Sequence, residues 1–149
     1  LYKIQEGRML LLEQNFEDSR KCFNESISIC DDIPIAYYFI ADSYSKQSDS
    51  IYTDAEKIHQ STPDKQEAYG DKIIQAKQVL DKAISMWVNY AKLKPESSWM
   101  VIHLLKDALF ALDRYNEIEI IFIKTANSFD FFFVVIFINI RDKSYFINY

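Results

Sequence analysis

Acid–base catalysis needs a titratable side chain with a positioned partner, and this chain offers few candidates. His59 and His103 are its only histidines. They fall in unrelated segments, and His103 stands between Ile102 and Leu104, the setting of a packing or surface imidazole with no carboxylate to orient it. Asp31 with Asp32, and Glu117 with Glu119, are carboxylate pairs of the type that acid–base catalysis uses. A helix end and a solvent-facing stretch account for them without chemistry. Cys22 and Cys30 lie eight residues apart on one expected helix, about 12 Å along its axis at ~1.5 Å per residue. That is too far for a disulfide, and neither a CxxC pair nor a neighbouring histidine completes a metal set, so both are expected to be reduced packing residues. Trp87, Tyr90 and Phe122 could form an aromatic box, but their helical spacing places them in a core. No GxSxG, HExxH, GxGxxG or phosphate-loop motif is present. The expectation is a non-catalytic chain with no cofactor and no metal.

Composition narrows what elements could position such residues. A chain of 149 residues with two glycines and three prolines cannot supply the many tight turns of a β-sandwich or a glycine-rich phosphate cradle. Long helices with few connections are favoured. A net charge of -5 and the lack of a basic stripe argue against nucleic acid as a partner. The first ten residues, LYKIQEGRML, carry no leader and no spanning segment, so the chain reads as a cytoplasmic fragment cut inside a domain.

Residues 1 to 14 and 16 to 29 read as a helix hairpin joined at Asn15, with Phe16, Cys22, Phe23, Ile27 and Cys30 along one face. A third helix, 34 to 47, opens on Pro34, whose missing N–H suits a first turn. The polar stretch 48 to 66 follows, with Pro63 as a break and at most a short helix near Thr53 to Gln60; its composition predicts a mobile insertion. From about 67 to Leu93 the apolar period resumes through Ile73, Ala76, Leu80, Ala83, Trp87 and Tyr90. Pro95 ends it, Ser98 is placed to cap a helix over 99 to 112, and Asp113-Arg114 turns into 115 to 127.

Self-similarity organises these elements. Gly7 and Ala41 are 34 residues apart, as are Leu10 and Tyr44. Ser19, Phe23 and Ser26 match Ala83, Trp87 and Tyr90 at a separation of 64, and Phe16, Ser19 and Phe23 match Tyr115, Ile118 and Phe122 at 99. Such a period means stacked hairpins. The segments NFEDSRKCFNES, KAISMWVNYAKLKP and RYNEIEIIFIKT resemble the tetratricopeptide repeat family, with Gly7 and Ala41 as the small first-helix residue. The departures are Leu105-Lys106 in place of a small residue and Ile118 in place of alanine.

The resemblance implies an all-α solenoid of antiparallel hairpins over 1 to 128, with repeats at 1 to 30, 33 to 95 (carrying an insertion near 48 to 70) and 98 to 127. It implies a protein-interaction scaffold that holds a peptide or helix in a groove. Carried over position by position, the groove residues are Ile4, Arg8 and Leu11, then Tyr38, Asp42 and Ser45, then His103, Asp107 and Phe110. Arg8 stands nearly alone against Asp42 and Asp107, so a clamp for a C-terminal carboxylate is lacking and a basic amphipathic segment is the expected occupant. A narrower resemblance, in LLKDALFALDRYNEIE and the preceding KLKP, is to the repeats of the bacterial lipopolysaccharide assembly protein B family. It implies the alternative function, an adaptor on the cytoplasmic face of a membrane that recruits an enzyme and a protease.

Residues 129 to 149 differ from all that precedes: six of eleven phenylalanines fall there and no helical period runs through them. The apolar run Phe131 to Ile138 is shorter than the ~20 residues a spanning helix requires. The segment is either a cap on the last hairpin or a non-native extension of the kind a shifted reading frame produces.

Overall fold

Apolar residues at helical spacing give five α-helices, and no strand, among residues 2–61, 64–114 and 116–117, which are those the computed structural model describes. They are α1 (Tyr2–Leu12), α2 (Phe16–Ile29), α3 (Pro34–Ser61), α4 (Gln66–Leu93) and, after a 3₁₀ turn at Pro95–Ser97, α5 (Trp99–Ala111). The chain divides between Leu93 and Lys94, so α1 to α4 belong to a first unit and α5 to a second. The expected helix over 115 to 127, its Ile118 and Phe122, and the 129 to 149 tail lie outside the described residues, apart from Asn116 and Glu117.

Helix α1 stops in a Schellman turn. Gln14 takes the left-handed conformation at φ 60°, its N–H reaches the Leu11 carbonyl at 3.1 Å, and the Asn15 N–H reaches Leu10 at 2.9 Å. Asn15 then caps α2, its side-chain oxygen accepting from the Asp18 N–H at 3.4 Å, while Glu17 and Asp18 put negative charge at the positive helix end. The same device closes α5: Asp113 has φ 59° and the Arg114 N–H reaches Leu109 at 2.9 Å. Gln14 and Asp113 are 99 residues apart, the separation at which the sequence repeats.

The α1–α2 hairpin closes because one residue on α1 has no side chain. A Cβ on Gly7 would stand 2.7 Å from a ring carbon of Phe23, and the Ser19 hydroxyl donates to the Gly7 carbonyl at 2.8 Å. Phe23 is fully buried with Ile4, Ala36 and Ile40, and Phe39 stacks on it at 5.4 Å. On α3 and α4, Ala41, Ala83 and Trp87 are buried at 0%, 0% and 2% exposure.

The stretch 48 to 61 departs from the expectation of an insertion with little structure. It continues α3 for its full length. Ser48 is buried and donates to the Ala76 carbonyl at 2.9 Å, and Ala55 and Ala76 have no exposed surface, so small residues let α3 and α4 approach closely. Two further expectations are corrected. Ser98 stands at the N-cap of α5 but its side chain makes no capping hydrogen bond. Both cysteines are free, yet only Cys22 is buried; Cys30 ends α2 in extended backbone and is exposed.

Candidate functional site

In the first unit, three helices bring rings and charges to one connected surface. The Arg8 guanidinium lies 5.3 Å from the centre of the Phe39 ring, Tyr38 meets Phe39 edge-on at 5.6 Å, and Tyr38 approaches Tyr90 at 5.7 Å. Helix α1 contributes the cation, α3 the half-buried Tyr38 and Phe39, and α4 the buried Tyr90. Of these rings Tyr38 and Phe39 are partly exposed, and Tyr90 backs Tyr38 from within the fold.

Tyr38, Asp42, Ser45 and Asp49 follow at spacings of four, three and four, so they share a face of α3. Asp42 accepts an ion pair from Lys46 at 2.8 Å. The Asp49 side chain is exposed overall, and partial desolvation of its carboxyl, then the charge of Asp42, shifts it upward from the ordinary aspartate value. Burial followed by Asp42 likewise pushes the Tyr38 hydroxyl up. The face is therefore aromatic at one end and acidic further along.

Placement of the nine expected groove residues is uneven. Arg8 is exposed and held by Gln5 at 3.4 Å, and Tyr38, Asp42 and Ser45 are half-buried. Ile4 and Leu11 point inward, at 6% and 5% exposure, and Ile4 is part of the core around Phe23. His103, Asp107 and Phe110 are exposed along one face of α5, with Lys106 3.7 Å from Asp107. Positions equivalent by repeat register are thus not equivalent in burial, because α1 turns its Ile4, Gly7 and Leu11 edge to α2 and α3 whereas α5 buries Val101, Leu105, Ala108 and Leu109.

Phe39, Tyr90 and Asp49 were not among the expected groove residues. Asp49 was legible in principle, as the next position along the Tyr38–Asp42–Ser45 face, had the helix been carried past residue 47. Leu11, Gln14, Phe16, Lys46, Asp49 and Thr53 help to line an open cleft of about 430 Å³ beside the α1–α2 turn, so Asp49 borders both it and the Tyr38 face. Its lysines and aspartates are interspersed, and Lys57 pairs with Asp54 at 3.0 Å.

Among the described residues no group of three or more His, Cys, Asp or Glu side chains is placed to hold a metal ion. Nor is any helix of the described residues long and apolar enough to cross a membrane. The chain matches no protein-family model, and neither the curated proteins nor the solved structures give a match.

Proposed function

We propose that this chain is a non-catalytic protein-interaction scaffold of the tetratricopeptide type, whose first unit holds a basic amphipathic segment of a partner protein against the Tyr38–Asp49 face of α3. The observation that carries the reading is the succession of Arg8, Phe39 and Tyr38 leading to Asp42 and Asp49: aromatic anchors with two carboxylates beside them, Asp42 already sharing its charge with Lys46, suit an apolar helix face edged with Lys or Arg. The repeat type draws support from the Gly7–Phe23 closure, from fully buried Ala41 34 residues on, and from the matching Schellman turns at Gln14 and Asp113. The departures are the long α3–α4 hairpin and the inward Ile4 and Leu11, which leave the binding role on α1 to Arg8.

Tyr38→Ala is the direct test, because it removes the anchor from a half-buried surface position while the packed Phe23 and Phe39 remain. A basic amphipathic peptide should bind the unsubstituted chain in a salt-sensitive manner and lose about tenfold in affinity to the variant. Undiminished affinity, or an acidic peptide that perturbs Tyr38 and Asp42 more strongly than the basic one, would remove this face from the function.

A further inference from the structure

A second surface, round the other side of α3, has the opposite charge character. Tyr44 lies two residues beyond Asp42, about 200° further round the helix at ~100° per residue. The Arg20 guanidinium from α2 sits over the Tyr44 ring at 4.3 Å, and the Lys82 ammonium from α4 lies 5.8 Å from the same ring. The two charges are therefore no more than about 10 Å apart.

Arg20 is a positioned cation. One of its amino groups donates to the Ser43 hydroxyl at 2.8 Å, and that fully buried serine in turn donates to the Phe16 carbonyl at 3.3 Å. Among the described residues its other donors make no hydrogen bond, and no carboxylate stands within ion-pair distance of Arg20 or Lys82, although the Glu17 charge is felt at Arg20. Burial accordingly lowers the Arg20 pKa from its ordinary value, with Tyr44 and Glu17 offsetting only part of the effect. A half-desolvated guanidinium fixed in orientation by Ser43, with its remaining N–H donors still to be satisfied, is the group that recognises a carboxylate oxyanion. In a chain of net charge -5, such a site is a local reversal.

We infer that Arg20, Tyr44 and Lys82 form a binding site for a side-chain carboxylate of an acidic peptide segment, on the α2–α3–α4 surface. Tyr44 favours a peptide carboxylate over a free anion. Its ring also packs against the core around Phe23, so it offers an apolar edge to the methylenes that carry a glutamate's charge, which inorganic phosphate lacks.

The test follows the Arg20 side-chain Nε–H and the Tyr44 ring resonances while an end-blocked glutamate-rich peptide, its glutamine counterpart, or inorganic phosphate is added at matched ionic strength. The glutamate peptide should shift both residues saturably and the glutamine peptide should not. Lys82→Gln, an exposed change that leaves helicity intact, should weaken the response about threefold, and Arg20→Lys about tenfold. Equal shifts with the glutamine peptide, no movement of Arg20 and Tyr44, or phosphate acting as well as the glutamate peptide (an adventitious ion only) would each overturn the assignment. This outcome is independent of the Tyr38 test, since the two surfaces are read at different residues.

Discussion

Two glycines on helices show how far a single residue's surroundings decide its worth. At Gly7 a methyl would meet three Phe23 ring carbons at 2.7 to 3.0 Å, and that ring, fully buried and stacked on Phe39, has nowhere to swing. Gly7→Ala should therefore cost about 1 to 3 kcal/mol, even after the ~1 kcal/mol that alanine gains over glycine in a helix. Gly70, on α4, has nothing within 4 Å of the same position, so Gly70→Ala should stabilise by about 0.5 to 1 kcal/mol. Urea midpoints of the two variants check the pair, and a reversed order would mean that α1 and α2 do not close as described. Trp87→Ala belongs with Gly7, at about 3 to 5 kcal/mol for a large ring removed from the core. Asp49 makes the pH-dependent case. A carboxyl whose folded-state pKa is raised stabilises the fold below its unfolded range and loses that contribution as pH rises through the folded value. Because Asp49 is exposed and its charge is screened by solvent, Asp49→Asn should raise the melting temperature only slightly near about pH 7 and leave it unchanged near about pH 3; an equal rise at both would assign the effect to something other than charge.

At the scale of elements, the sequence is most legible where apolar spacing and turn chemistry agree. The hairpin at Asn15, the start of α3 at Pro34 and the run of α4 to Leu93 all have both signals, and all stand where their residues put them. Residues 48 to 61 mislead because Ser, Thr, Asp and Gln dominate them, which reads as a loop. The contacts that hold them are small and hidden in the composition: Ser48 on the Ala76 carbonyl, and Ala55 and Ala76 at the interhelix seam. Small buried residues contribute little to an apolar period yet let two helices approach. Groove positions fare less well than core positions for a related reason, since which edge of α1 faces inward is set by Phe23 and α3, not by repeat register. Thr53→Pro tests the continuity of α3. It should cost about 3 kcal/mol or more by breaking a helix interior, whereas a near-neutral result would return the segment to a loop. Asn15→Ala should cost about 1 kcal/mol through loss of the α2 cap, checked by the same midpoints.

For the whole molecule, the two faces of the first unit matter more than any one residue. A ring-bearing surface from Arg8 to Asp49 and a cationic junction at Arg20, Tyr44 and Lys82 involve different sides of one continuous helix, α3. The core that supports them, from Ile4 and Phe23 to Ala36 and Ile40, lies within residues 1 to 93, and a chain ending at Leu93 is expected to keep its far-UV helical signal and a cooperative melt. The central claim, that the Tyr38 face is a peptide-binding surface, is tested most directly by following backbone amide resonances of the full chain during titration with a basic amphipathic peptide. The account predicts saturable shifts clustered at Arg8, Tyr38, Asp42, Ser45 and Asp49. Saturable binding that leaves those five unmoved while shifting other residues, or no saturable shift at all, would contradict it.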